Sequence, residues 1–260
     1  MRALEGERLA RWLEAQFADF GGDLPLWTGI AQALPGPMLE LGCGTGRVLL
    51  PLLRKGCRIL GIDREEALLR RLKQRAADQA LTDALLLLQA DIRALPLRAH
   101  FRLILAPLNV LAHTDDQQLI GCLTRAAGNL STDGLFAAEF PSPSFLADPE
   151  EEGEPLEIFF DPKTGYPVQV SARTERTPDD RRLDVEWFYD ELTPTGEVHR
   201  FVLAHRYWLR TPDELRRLCH QAGFGASQVF GSYDLDPIGP ESPLLLLLAS
   251  HQPIPAALLD

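Results

Sequence analysis

The feature that most constrains this chain is the run Met38-Leu39-Glu40-Leu41-Gly42-Cys43-Gly44-Thr45-Gly46-Arg47. A short apolar stretch ends in an acid, three glycines alternate, and the apolar pattern of a helix begins at Val48. That order reads as a buried strand, a tight turn and a helix N-terminus, the place where an α/β sheet receives a nucleotide-like ligand. Glycine in such a turn accepts positive φ and lets the backbone approach a ligand closely. The helix start adds free N–H groups. The spacing is Glu-x-Gly-x-Gly-x-Gly. Dinucleotide binders use Gly-x-Gly-x-x-Gly, which leaves the helix N-terminus open to a pyrophosphate and has no use for an acid before it. A carboxylate at the strand end instead suits a cation, such as the ammonium of an amino-acid moiety.

Two further acids follow at equivalent places. Arg58-Ile59-Leu60-Gly61-Ile62-Asp63 is an apolar run ending in Asp63, and Leu85-Leu86-Leu87-Leu88-Gln89-Ala90-Asp91 is a third run ending in Asp91. An acid about 20 residues after a glycine turn is placed for ribose hydroxyls. One acid after a strand is as readily a helix N-cap. Acids at three successive strand ends, the first with the glycine turn, are far more specific.

Glu40 with Gly42, Gly44 and Gly46 resembles motif I of the class I S-adenosylmethionine (SAM)-dependent methyltransferases, and Asp63 and Asp91 fit the acids that follow it. The resemblance implies that Glu40 binds the methionine ammonium and Asp63 the ribose hydroxyls. It implies that Asp91 takes the adenine amino group, with Ile92 packed on the ring. Cys43 in the turn, Arg64 beside Asp63 and Leu108 after the fourth strand complete the cofactor-binding set it suggests. The expected cofactor is SAM, leaving as S-adenosylhomocysteine (SAH). No metal is expected.

Residues 38–140 alternate strand and helix patterns. Strands are expected at 38–41, 58–62, 85–89, 101–105 and 135–140, and helices at 47–55, 65–79 and 115–130. Such alternation argues for a doubly wound, mainly parallel α/β sheet, the Rossmann-like arrangement of the resembled family. Ligands then lie outside the carboxyl ends of the strands, where all three acids fall. Residues 1–36 carry two helical patterns and form a cap rather than sheet. Trp12, Phe17, Phe20 and Trp27 there are candidates for closing the site or, individually, for ordinary core packing.

Residues 141–210 change character. Pro141-Ser142-Pro143-Ser144 is a break, and 148–154 is an acidic stretch. Then 156–160, 168–177, 183–192 and 198–209 read as strands joined by short turns, an antiparallel meander. Side chains alternate faces along a strand, so Trp187, Tyr189 and Glu191 share one face. His205 and Tyr207 share another strand's face. In the resembled family such an insertion roofs the substrate site or forms a homodimer contact. Trp187, Tyr189 and Tyr207 are therefore candidates for the acceptor, or for the sheet's own core. Residues 211–260 return to the main sheet with a helix, capped by Thr211, Pro212 and Glu214, and a hairpin over 226–233 and 243–251.

The fourth strand leads into Leu108-Asn109-Val110-Leu111-Ala112-His113. It lacks the Asp/Asn-Pro-Pro-Tyr/Phe pattern of enzymes that methylate bases in nucleic acids. It looks more like the Phe-Asn-x-Leu-x-His loops of small-molecule methyltransferases. Asn109 is a candidate for holding substrate or the turn. His113 is a candidate base for a hydroxyl or ammonium proton, as is His205.

Composition narrows the acceptor. The net charge is -11, so a basic footprint for DNA or RNA is not visible. The four cysteines form no Cys-x-x-Cys pair. No apolar run approaches the ~20 residues of a membrane span, and no signal-peptide pattern opens the chain, so a cytoplasmic setting is expected. The reading is methyl transfer to N or O of a small molecule. A non-catalytic SAM-binding protein and a dinucleotide-dependent oxidoreductase are the alternatives.

Overall fold

A computed structural model describes residues 2–143 and 155–258. Ser144 and the acidic stretch 148–154 fall outside these residues. In chain order the elements are β1 (Arg2–Ala3), α1 (Gly6–Gln16), α2 (Leu24–Ala33), β2 (Pro37–Leu41), α3 (Leu49–Arg54), β3 (Arg58–Asp63), α4 (Glu66–Asp78) and β4 (Leu86–Gln89). They continue with β5 (Phe101–Ala106), α5 (Asp116–Asn129), β6 (Leu130–Pro141), β7 (Glu157–Phe160), β8 (Pro167–Arg176), β9 (Arg182–Leu192) and β10 (Val198–Trp208). The chain closes with α6 (Pro212–Gln221), β11 (Ala226–Phe230) and β12 (Leu244–Ser250).

Seven strands form the main sheet in the order β11-β12-β6-β5-β2-β3-β4. Strands β4, β3, β2, β5 and β6 run parallel, and β12 lies antiparallel to β6. The strands are short apolar runs because both faces are covered, as parallel sheets require. Leu119, Cys122 and Leu123 of α5 and Leu215 and Leu218 of α6 bury one face. Ile30 of α2, Leu49 and Leu52 of α3, and Leu69 and Leu72 of α4 bury the other. The sheet is thus doubly wound, as its alternating pattern predicts. Helices α5 and α6 both start with a capping box, at Asp115 with Gln118 and at Thr211 with Glu214.

Two boundaries differ from the sequence reading. Strand β6 begins at Leu130, which pairs with Phe101; the ladder then breaks and resumes at Leu135 opposite Leu103. The polar, glycine-containing 131–134 segment hides this first rung. The amino terminus is also not purely a helical cap. Arg2 and Ala3 pair in parallel with Phe201 and Val202 of β10, and two residues are too few to leave a periodic signal.

The second sheet has the order β1-β10-β9-β8-β7, antiparallel from β10 to β7. Its inner face packs on α1: Trp12 is fully buried against Phe159, Tyr189 and Phe201. Helix α1 is tied in turn to α4 by Glu14, which pairs with Arg71 and Arg75. The buried Arg210, just after β10, donates to the Thr114 carbonyl at 2.5 Å and to the Asp116 carboxylate at 3.0 Å. Cap, roof and main sheet are therefore locked around the carboxyl ends of β2, β5 and β6.

Candidate active site

The turn after β2 is built as its sequence suggests. Gly42 has φ +69 and Gly46 has φ +85, a region that L side chains rarely enter. A Cβ on Gly42 would also collide with Val110, and one on Gly46 with Leu72 and Leu50. Gly44 differs, because its missing Cβ faces open space. That space belongs to a cavity of about 140 Å³ lined by Glu40, Gly42, Cys43, Gly44, Thr45 and Leu108, with Leu13, Glu14 and Phe17 of the cap across from them. The cap is thus part of the site through Phe17. Trp12 and Trp27 are core residues, both fully buried, and Phe20 packs edge-on against Phe17.

Glu40 is buried and its Oε2 has no hydrogen-bond partner. Loss of hydration pushes its pKa up from 4.5 to about 8; Arg47 opposes this, while Asp23 and Asp63 add to it. The nearest cation does not relieve Glu40 because it is used elsewhere. Arg47 clamps Asp23 with two bonds of 2.6 Å, and Asp23 also accepts from Trp27 Nε1. A buried, unpaired carboxylate is costly, so this one holds its proton near neutral pH unless a cation is brought to it.

Asp63 ends β3 beside this turn. It accepts from Gly44 N–H and Glu65 N–H, both at 2.9 Å. Burial raises its pKa, and the two N–H groups oppose the rise. Its carboxylate therefore braces the glycine turn. Arg64 is largely exposed and pairs with Glu65. Asp91 caps the short turn that contains Ile92 and is bound by Arg93, which holds its pKa down. Ile92 is half-buried against the core. Asp63 pairs with Gln89 across the β3–β4 ladder, so Glu40, Asp63 and Asp91 follow one another along the strand ends.

After β5, Leu108 (φ +50) and Asn109 (φ +59) are two successive left-handed non-glycine residues. Such strain persists only where surroundings over-determine it, and it gathers at functional sites. Here Leu108 N–H donates to the buried Glu139 carboxylate at 3.1 Å. The Asn109 side-chain oxygen is buried without a partner. A short helical turn then carries Val110 to His113 beneath the roof.

There the structure brings His113 to His205 and Tyr207, the pair that the sequence places together on one strand face. The His113 ring lies 4.9 Å from that of His205 and 4.7 Å from that of Tyr207. His205 Nδ1 and the Tyr207 hydroxyl are 3.2 Å apart. His113 Nδ1 is 2.9 Å from the Arg206 carbonyl. A carbonyl only accepts, so Nδ1 carries the proton and Nε2 keeps the lone pair. Desolvation lowers the His113 pKa and takes that of His205 down to about 4, keeping both rings neutral near pH 7.

One acceptor candidate is overturned. Tyr189 is 1% exposed, stacks on Trp12 and donates to Gln16, so it belongs to the α1–roof core. Trp187 shares its face but is only half-buried, opposite Leu203 and near Tyr207. Sequence reasoning missed Glu139, Asp23, Arg47 and Tyr233. Glu139 is also an acid near the end of an apolar strand, but Phe140 and Pro141 continue the run past it. Among the described residues, no group of three or more His, Cys, Asp or Glu is placed to hold a metal ion, and no helix is long and apolar enough to cross a membrane.

Residues 38–134 match the family described as "Methyltransferase domain". Residues 38–134 thus carry a methyltransferase domain. Solved structures of methyltransferases share the fold over nearly the whole length of the chain. The CcbJ methyltransferase from Streptomyces caelestis is 20% identical, with 91% of this chain and 95% of that chain covered and a TM-score of 0.73. The sugar N-methyltransferase KedS8 from a Streptoalloteichus species is 18% identical, with coverage of 92% and 91% and a TM-score of 0.71. CalS10, an amino pentose methyltransferase from Micromonospora echinaspora with SAM bound, is 15% identical, with coverage of 92% and 95% and a TM-score of 0.68. No curated protein sequence matches the chain significantly.

Proposed function

We propose that this methyltransferase moves a methyl group from SAM to N or O of a small-molecule acceptor held between the 108–113 loop and the second sheet. The observation that carries the reading is Glu40, a buried carboxylate with an unpaired oxygen beside open space at Gly44. A cofactor with an ammonium group relieves that cost. The residues present therefore fit SAM. When bound, SAM supplies an activated methyl group on a sulfonium.

The chain's own residues bind, orient and handle a proton. Glu40 holds the ammonium of the amino-acid part, while the backbone of residues 42–46, with Cys43, passes under it. Asp63 takes the ribose hydroxyls with its remaining lone pairs, since each of its oxygens already accepts one N–H. Asp91 takes the adenine amino group, with Ile92 against the ring. Asp91 must share its oxygens with Arg93 to do so. Arg64 contributes through its backbone, because its side chain points to solvent. Leu108 closes the cavity wall, and the Asn109 oxygen, buried and unpartnered, holds the acceptor or the turn. His113, with its Nε2 lone pair facing away from the Arg206 carbonyl, is the base for a hydroxyl acceptor, and desolvation keeps it neutral. Trp187 and Tyr207 line the acceptor side. The similar structures named for sugar and amino pentose methylation support a small polar acceptor.

The reading includes a cytoplasmic enzyme and a homodimer. Exposed apolar side chains on the second sheet support the dimer: Ile158 and Phe160 on the edge strand β7, and Leu192 and Val198 at the turn between β9 and β10. A monomeric mass in sedimentation would remove that part. The test of the function is calorimetric titration with SAM, SAH and NADH. Micromolar binding of SAM and SAH without NADH is expected. NADH binding alone would return the chain to the oxidoreductases. Binding of SAM without turnover on any acceptor would favour a non-catalytic SAM-binding protein.

A further inference from the structure

Among the described residues, two side chains that line the cavity at the glycine turn hold a buried polar atom without a hydrogen-bond partner. One is Glu40, through Oε2. The other is Arg47, through Nε. Arg47 has no part in the chemistry above.

The rest of its guanidinium is occupied. Nη1 and Nη2 each donate to one oxygen of Asp23 at 2.6 Å, and Nη1 lies 3.5 Å from the Phe20 carbonyl. The guanidinium carbon sits 4.9 Å from the centre of the Phe20 ring. Asp23 is fully buried and accepts from Trp27 Nε1 at 2.7 Å. These bonds fix the plane of the guanidinium, and its Nε–H is left over because a guanidinium has more donors than one carboxylate can take. A buried donor without an acceptor costs free energy, as a buried acceptor without a donor does.

The two orphaned atoms are neighbours. The Arg47 charge acts on the Glu40 carboxyl, yet no hydrogen bond joins them. The cavity therefore presents an acceptor suited to a cation and, beside it, a donor suited to an anion. A lone cation would satisfy Glu40 only, and a lone anion Arg47 only. An α-amino acid carries both charges on one carbon and satisfies both.

We propose that Arg47 is a second cofactor-binding residue, its Nε–H taking the carboxylate of the amino-acid part while Glu40 takes the ammonium. Asp23, Phe20 and Trp27 of the cap act through Arg47 as positioning residues. The inference rests on the SAM reading of Glu40. It adds that the site selects an intact zwitterion over adenosine derivatives that lack either charge.

Calorimetry on the full chain compares SAH with two analogues, one lacking only the carboxylate and one lacking only the ammonium. Each analogue is expected to bind roughly tenfold or more weakly than SAH, the scale of one hydrogen bond between charged groups. The decarboxylated analogue reads Arg47 and the deaminated one reads Glu40. The double variant Asp23→Asn, Arg47→Gln removes both charges of the pair, so neither ion is left buried alone. In it the preference for SAH over the decarboxylated analogue is expected to fall below about threefold, while a preference of about tenfold over the deaminated analogue persists. A wild type that binds the decarboxylated analogue as tightly as SAH would overturn the proposal, and so would a double variant that keeps the full preference. The wild-type comparison needs no variant, so a misfolded double variant does not shield it. Failure of the wild type to bind SAH or either analogue would instead remove the SAM reading itself.

Discussion

Glu40 should make ligand-free stability and ligand binding oppose each other. Its carboxyl titrates near 8 when folded against an ordinary value of 4.5. Between these values the folded state holds the proton and the unfolded state gives it up, so stability falls as pH rises through that window. At pH 5 the loss from this one group is about 1 kcal/mol; at pH 8 it is about 4 kcal/mol. Glu40→Gln has the same shape and no charge. Other titrating groups, Glu139 included, act alike in both proteins and cancel in the comparison. The variant should therefore gain about 3 kcal/mol on the wild type between pH 5 and pH 8, roughly 6–12 °C in Tm for a chain of this size. Thermal unfolding of the two ligand-free proteins at both pH values measures it. The same proton reports on binding. At pH 7 a group with this pKa is about 90% protonated, and an incoming ammonium should expel nearly all of it. Titration of SAM in buffers of different ionisation enthalpy should then show about 0.9 proton released at pH 7, falling to about 0.1 at pH 9. A Tm gap that does not change with pH, or binding without proton release, would refute the assignment of Glu40 as a buried cation receptor.

Other sites should respond in distinct ways. Asp63→Ala strips acceptors from the half-exposed Gly44 and Glu65 N–H groups, costing about 0.5–1.5 kcal/mol for each hydrogen bond lost. Both Tm and SAM affinity should drop, and unchanged cofactor affinity would reject the ribose assignment. His113→Ala should reduce turnover on a hydroxyl acceptor by about 10²-fold or more while SAM affinity stays within threefold; full activity would remove it as a base. Gly46→Ala forces a Cβ onto Leu72 and Leu50 at positive φ, a strain of roughly 1–3 kcal/mol, and differential scanning calorimetry should record a Tm several degrees lower. An unaltered Tm would mean that the turn relaxes freely.

The main sheet was legible because its signals are local. Each parallel strand is an apolar run stopped by a polar residue, and the helices between them start at caps visible over four residues, as at Asp115 and Thr211. Glu40, Asp63 and Asp91 could be found for the same reason: a strand end is a position that sequence marks. Glu139 sits on a strand end too. It escaped because Phe140 and Pro141 prolong the apolar run past it, so the acid reads as interior. Tyr189 misled in the opposite sense. Period-2 alternation assigns it to a face but cannot say what covers that face. Its neighbour across the ladder, Phe201, is covered by Trp12, while His205, four residues along the same strand, meets His113. One inner face therefore packs as core at one end and meets the 108–113 loop at the other.

That division also explains why the roof needs its ionic anchors. Where the inner face passes from packed aromatics to the half-buried His205 and Tyr207, it buries less apolar surface than a continuous core would. Arg210 offsets this by binding Thr114 and Asp116, and Arg181 adds Asp116 and Glu214. Thr114 directly follows His113, and Arg210 lies two residues after Trp208, so the Arg210–Thr114 bond that holds the second sheet also fixes the separation of His113 from His205. A buried guanidinium deprived of its partners is strongly destabilising. The position of the candidate base is thereby coupled to the stability of the whole roof rather than to the loop that carries it.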